Sequence, residues 1–450
     1  MIYLDHNATT PVDPEVVRAM LPLLRDHFAN PASSHPAGQA VARLVEGARR
    51  DVANLAGAQP RDVIFTSGAT EAANLAIAGV LATAPPSCRR VLVGATEHRA
   101  VLAAAEAAAR VHGAIVQTIR VHPDGTIDLN HLRALLQPVW DGSAVAGNGG
   151  VLGASVSKVA LVAVMTANNE TGTLNDPRPI AELAHGAGAF YLADITQTLG
   201  RMPVSVADAG IDLALASAHK LYGPKGTGAL IAGRHARSQL APLIHGGGQE
   251  RGLRAGTVNT AGVVGFGAAA RIAAAVMDDE APRQRAQTEL LHDLLVEWLG
   301  VDAVELNGPS ERGGSRECRL PNTINLRFVG ADADAVQACL PDVAVSAGSA
   351  CHGGGAEPSH VLTAMGRSTT AAMESLRFSV GRFTSVDQIH AAAAAVARAV
   401  LRVRALEQNR SNDLFDGPTT EFRAQEIPTD RVFSRALRMP EVPAPRSAYP

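Results

Sequence analysis

The chain has 450 residues, 46% of them hydrophobic and 18% charged, with a formal net charge of −3. That length suffices for a full core in two or three domains, and without a basic excess neither nucleic acid nor a membrane surface is an expected partner. With no expected apolar run of membrane-spanning length, no leader pattern at Met1-Ile2-Tyr3-Leu4-Asp5-His6, and four cysteines in neither a CxxC pair nor a disulfide framework, the chain reads as cytoplasmic.

Short apolar runs alternate with amphipathic, alanine-rich stretches through the first half. Residues 63–66, 91–93, 160–165, 190–193, 213–215 and 228–231 read as buried strands, and 71–81, 100–111 and 179–187 as helices between them. This alternation predicts an α/β domain over 15–262, built on a mainly parallel sheet covered on both faces. The segment 141–157, rich in Gly, Ala and Ser, reads as a surface loop. A long helix is predicted over 263–299, then strands at 323–328, 343–345 and 376–380 and a helix over 386–406. Residues 1–14 and 263–408 therefore form a smaller α+β domain. From 409 to 450 the composition turns polar and proline-containing, which predicts a poorly ordered tail.

Candidate chemistry gathers at the ends of the predicted strands, where open α/β sheets bind ligands. Lys220 closes Ser217-Ala218-His219-Lys220, just past the run 211–216. Burial there lowers an amine pKa and suits Schiff-base chemistry with a carbonyl, pyridoxal phosphate included; a solvated loop lysine is the plainer alternative. Asp194 ends the strand 190–193 and can keep a pyridine nitrogen protonated, or simply cap a turn. Gln197, three residues on, can donate to a phenolic oxygen. Ser67-Gly68-Ala69-Thr70-Glu71 joins a strand to a helix, and its free amides suit a phosphate. Ser217, His219 and Thr257 would complete such a cradle.

His98, in Thr96-Glu97-His98, can lie against an aromatic ring or be an ordinary loop histidine. Asn169, in 167–172, is a neutral donor for a substrate carboxylate or a cofactor oxygen. Arg377, in 375–379, offers a planar fork to a carboxylate, with a structural salt bridge as its alternative. The glycine-rich stretch 245–257 suits a phosphate contact or a subunit interface. Cys351 stands among small residues in 346–355, which favours a reactive thiol in a mobile loop over a core cysteine. Cys351 and His352 are adjacent, so their side chains diverge, and no further ligand cluster is near; no metal site is expected.

These motifs together resemble the cysteine desulfurases of NifS and IscS type, within the class-V aminotransferases. The matching stretches are Tyr3-Leu4-Asp5-His6-Asn7-Ala8-Thr9-Thr10-Pro11, Phe65 to Glu71, Thr96-Glu97-His98, Asn168 to Gly172, Asp194-Ile195-Thr196-Gln197, Ser217 to Lys220, Gly246 to Arg251, Gly348-Ser349-Ala350-Cys351 and Arg377-Phe378-Ser379. The resemblance implies a fold-type-I transferase that carries pyridoxal 5'-phosphate and forms a homodimer, Thr257 reaching the neighbouring subunit's phosphate. Lys220 would hold the cofactor and exchange protons, Asp194 pair with the ring nitrogen, Gln197 with the ring oxygen, and His98 stack. Ala69, Thr70, Ser217 and His219 would bind the phosphate, Asn169 and Arg377 the substrate carboxylate.

Cys351 would take the sulfur of L-cysteine as a persulfide, leaving L-alanine, for an acceptor such as an iron-sulfur scaffold; contact of Cys351 with a nascent iron-sulfur cluster is compatible with that role. His352 and the following glycines depart from IscS, and Cys351-His352 and the Gly246 stretch are also similar to selenocysteine lyases. Selenium is thus the alternative substrate atom. A catalytically silent scaffold, the alternative of another class, would have lost Lys220, Asp194 or Cys351, and none is lost.

Overall fold

The apolar runs of the first half pair into one sheet. In a computed structural model, which describes residues 1–141, 155–310, 318–347, 350–352 and 355–413, its strands in chain order are β1 (Val63–Thr66), β2 (Cys88–Gly94), β3 (Ile115–Ile119), β4 (Ser155–Ala163), β5 (Phe190–Asp194), β6 (Leu213–Ser217) and β7 (Gly228–Ala232). Their spatial order is β1-β7-β6-β5-β4-β2-β3. The neighbours from β6 to β3 run parallel, and β7 alone of these runs antiparallel, to both β1 and β6. The expected mainly parallel sheet is therefore present.

The central strands are apolar on both faces because both are covered. Leu161, Leu192, Leu215 and Leu230 meet Leu75, Ile77 and Val101 of the helices Ala69–Thr83 and Arg99–His112. The alternate residues Val162, Tyr191, Ala214 and Ile231 meet Ile180 and Phe266 on the opposite side. Strand β3 escaped the sequence reading for a physical reason. It is an edge strand whose Ile115 is 57% exposed, so it lacks a continuous apolar run.

A second, antiparallel sheet contains Thr323–Phe328 between Val304–Asn307 and Ser375–Ser379, with Ser346–Ala347 beyond the latter. Leu326, Leu376 and Phe378 bury against Leu291 and Leu295 of the helix Thr260–Leu299 and against Ile389 and Val396 of Val386–Asp413. The N-terminus joins this sheet region: Ile2–Tyr3 pairs in parallel with Val343–Ala344, and Asp5 bridges Ser379.

Three expectations change. The segment 141–157 is not loop throughout, because Val139–Asp141 pairs antiparallel with Ser155–Ser157 of β4; residues 142–154 lie outside the described ones. The last helix runs to Asp413, past the predicted start of the tail, and residues 414–450 lie outside the description. Thr260–Leu299 is long and apolar enough to cross a membrane by length and composition, contrary to expectation. More than half of that apolar stretch is buried inside the protein, with Val263, Phe266, Ala269 and Ala270 in the core, as for a core helix.

Candidate active site

Every strand from β1 to β6 with a proposed functional residue after it points the same way, so the loops that follow converge on one cavity of about 630 Å³. Ala69, Thr70, His98, Asn169, Asp194, Gln197, Ser217, His219, Lys220 and Arg377 all line it. Lys220 ends a single 3-10 turn, Ala218–Lys220, that follows β6. Its Nζ donates to the main-chain oxygens of Asn7 and, at 2.7 Å, of Ala8. The N-terminal segment thus closes over the lysine. Thr10 Oγ1 secures it by donating to His219 O (3.0 Å) while accepting from Tyr222 N (2.9 Å).

Asp194 stands at the last residue of β5, its Oδ1 accepting from Thr196 N (2.9 Å). Gln197 is buried; its Nε2 donates to Asn7 O (3.1 Å) and its Oε1 accepts from Arg201. His98 caps the helix Arg99–His112 through Nδ1, which accepts from Ala100 N (3.1 Å), so the proton of the neutral ring is left on Nε2. Arg377 crosses from the second sheet: Nη2 pairs with Asp5 Oδ1 (2.6 Å), Nη1 donates to Asn169 O (3.0 Å), and the buried Nε has no partner. The salt-bridge reading of Arg377 is therefore realised, and one buried donor is left over.

Burial governs the electrostatics. It draws the Lys220 amine down to about 7, with help from the positive charges of Arg201 and Arg377 and against the opposing pull of Asp194 and Asp5. Burial likewise lowers His219 to about 4, aided by Lys220, Lys225 and Arg201. The His98 ring, although open to the cavity, is lowered by the surrounding protein, with Asp194 pulling the other way. At neutral pH both imidazoles are neutral and Lys220 can exist as the free base, which is the state a nucleophile or proton acceptor requires.

The family model for class-V aminotransferases matches residues 2–391. The chain belongs to that family. It is 62% identical over 416 residues to a cysteine desulfurase of Frankia sp. (strain EuIK1), covering 91% of this chain and 93% of the relative. A cysteine desulfurase IscS of Anaeromyxobacter sp. (strain Fw109-5) is 39% identical over 404 residues, 90% of this chain and 93% of that one. Among solved structures, SspA in complex with cysteine aligns with a TM-score of 0.69 at 28% identity, over 86% of this chain and 100% of SspA. The resemblance to NifS/IscS-type desulfurases is upheld, and neither the selenium reading nor the scaffold reading gains support from these relatives.

Pyridoxal phosphate, which the family implies, has a matching donor set here. The helix Ala69–Thr83 begins at Gly68 with no side-chain cap, leaving its first amides free for an anion beside Ser217 and His219. Strand β7 comes so close that a Cβ on Gly228 would lie 2.6 Å from Gly68 Cα, which keeps the cradle open to backbone only. A carboxylate, an amide donor and an imidazole face the space between that cradle and Lys220. The residues fit the group.

One predicted residue is not brought into this cavity. Thr257 does not line it and is exposed, in a loop after the turn Gln249–Gly252. The Cys351 backbone is not in an irregular loop but in a hairpin strand, Ala350–His352, paired with Gly355–Glu357. That hairpin follows Ser346, whose partner across the second sheet is Arg377, so the chain departs for Cys351 beside the cavity wall. Residues 348, 349, 353 and 354 lie outside the description. The sequence reading gave no role to the cavity residues Asn7, Ala8, Thr9 and Lys225, although the first three stand in the quoted N-terminal motif. It also missed Glu97, whose buried carboxyl accepts from Met165 N (2.7 Å) and is raised well above the carboxylate range by burial. Among the described residues no cluster of metal-binding side chains occurs.

Proposed function

We infer that this protein is a pyridoxal-phosphate-dependent cysteine desulfurase, converting L-cysteine to L-alanine and carrying the sulfur as a persulfide on Cys351. The observation that carries this reading is the convergence of Lys220, Asp194, His98 and Arg377 on one cavity. Lys220 would hold the cofactor, with Asp194 at the ring nitrogen, Gln197 at the ring oxygen, His98 against the ring, and Ala69, Thr70, Ser217 and His219 around the phosphate. When bound, the cofactor supplies an electron sink that makes the substrate Cα–H acidic and its C–S bond breakable.

The chain's own residues do the rest. Arg377, with Asn169 beside it, would take the substrate carboxylate; its guanidinium is held at the cavity wall by Asp5 and Asn169 O. Once free of the cofactor, the Lys220 amine accepts the Cα proton, because its pKa of about 7 leaves it unprotonated in a useful fraction of molecules. His98, with Nε2–H toward the cavity, can donate a proton to the product carbon or sulfur. Cys351 as thiolate receives the sulfur. A position on a hairpin outside the main sheets suits a group that must meet first a substrate and then an acceptor.

We further propose a homodimer in which the exposed Thr257 reaches the partner's phosphate, an iron-sulfur scaffold or thiolation protein as sulfur acceptor, and a division into a large domain of residues 15–262 and a small one of 1–14 and 263–408. Purified protein loaded with pyridoxal phosphate should yield alanine from L-cysteine and a mass increase of one sulfur on Cys351. Cys351→Ala should keep the cofactor absorbance and form no persulfide. Full desulfurase turnover by that variant would overturn the nucleophile assignment.

A further inference from the structure

The roles above leave Arg201 without a task, yet its placement is specific. Nη1 donates to Gln197 O (3.1 Å) and to Gln197 Oε1, and Nη2 donates to His6 O (3.3 Å) and to the main-chain oxygen of Lys220 (3.2 Å). All these acceptors are neutral. Among the described residues Arg201 forms no ion pair with a carboxylate. Arg377, the other guanidinium near Lys220, is instead paired with Asp5 at 2.6 Å, so those two charges largely offset each other.

A guanidinium can only donate, so the end of Gln197 that meets Arg201 must be its oxygen. The NH2 group is thereby left to face Asn7 O and the cavity. Resting on the assignment of Lys220 as the cofactor anchor, we propose that Arg201 is a positioning residue for cofactor capture: it turns the Gln197 amide so that its NH2 faces the cavity, and sets behind Lys220 a positive charge that forms no ion pair.

The charges facing Lys220 come from several elements. Asp194 at the end of β5 and Asp5 of the N-terminal segment favour the ammonium form; Arg377 of Ser375–Ser379 and Arg201 disfavour it. Behind them Glu280 of Thr260–Leu299 faces Arg201 while paired with Arg382, which also pairs with Asp13. His98 and His219 are neutral at neutral pH, and Lys225 lies on the exposed rim of the cavity. Burial leaves Arg201 itself at about 10, hence charged throughout the working range.

The test is the rate at which the full-length apoprotein takes up pyridoxal phosphate, followed by absorbance from about pH 5.5 to 9.5, a range that spans the lowered amine. In Arg201→Met the midpoint should rise by at least about one pH unit, with uptake at pH 6 about tenfold slower. Arg201→Lys, which keeps the charge, should stay near wild type. Arg201→Gln, which removes the charge but keeps a polar side chain, should shift as Arg201→Met does, and it decides the matter if Arg201→Met fails to fold. Midpoints of Arg201→Met and Arg201→Gln that coincide with wild type, or an Arg201→Lys midpoint displaced as far as that of Arg201→Met, overturn the proposal. Absence of uptake by the wild type would instead overturn the Lys220 anchor itself.

Discussion

Breaking the buried pair between Arg49 and Glu250 should be among the most damaging changes away from the cavity. Their side chains are 5% and 3% exposed. Glu250 Oε2 accepts from Arg49 Nη1 (2.8 Å) and from Phe65 N (2.9 Å), and Oε1 from Arg49 Nη2 (2.8 Å). Arg49 also donates to Val63 O (2.8 Å) and lies 4.6 Å over the Phe65 ring. The pair therefore ties the 245–257 loop to β1, the strand that leads into the phosphate cradle. It also holds Glu250 and Arg251 in left-handed backbone, φ 45° and 60°, which costs non-glycine residues about 1–2 kcal/mol each.

Removing one partner of a buried pair costs about 3–5 kcal/mol. Arg49→Met should fall at the upper end, because it strands a carboxylate with only the Phe65 amide. Glu250→Gln should fall near 3 kcal/mol, because Arg49 keeps its bond to Glu46, a pairing half exposed and worth about 0–1 kcal/mol. The double variant Arg49→Met/Glu250→Gln should recover at least about 2 kcal/mol relative to the sum of the single changes. Urea unfolding followed by circular dichroism measures all of these. Single losses below about 1 kcal/mol that simply add would refute the reasoning.

Three further outcomes follow from the geometry. Burial holds the His6 ring at about 3, so the unfolded chain takes up a proton below its ordinary 6.5 that the folded protein refuses; the stability present above pH 6.5 is lost as pH falls toward 3. His6→Gln should make the acid limb of stability shallower by about one proton, 1.36 kcal/mol per pH unit, and equal slopes in urea midpoint against pH would count against it. Arg377→Lys keeps the charge and loses the fork and Nε, so KM for L-cysteine should rise about 10- to 100-fold in steady-state assays, with kcat less affected. Gly228→Ala puts a Cβ 2.6 Å from both Gly68 Cα and Ala216 O. It should cost about 1–3 kcal/mol and weaken cofactor binding in an absorbance titration; unchanged affinity would mean the cradle tolerates displacement.

Much of the large sheet was legible from composition alone. Strands buried on both faces are continuous apolar runs, so 160–165, 190–193, 213–215 and 228–231 stand out in one dimension. The edge strand Ile115–Ile119 and the short Val304–Asn307 do not, because an alternating or half-exposed strand depends on its neighbours for stability. The ends of the legible strands carried most of the candidate site with them. Lys220, Asp194, His98 and Asn169 each directly follow such a run, and parallel pairing alone places their loops on one side of the sheet.

The identity of the chemical groups, and their order along the chain, were determined by the sequence, since strand periodicity and motif spacing are local properties. Tertiary structure alone decided what each group faces. Arg377 meets Asp5 across 372 positions, Lys220 meets Asn7 and Ala8 across 213 and 212, and Arg201 bonds His6 across 195. The burial that accompanies these contacts, with the charges of Arg201 and Arg377, draws the Lys220 amine down to about 7, and Arg377 is left one donor without a partner. A pKa depends on solvent exclusion and on charges a few ångströms away, and no spacing along the chain encodes either.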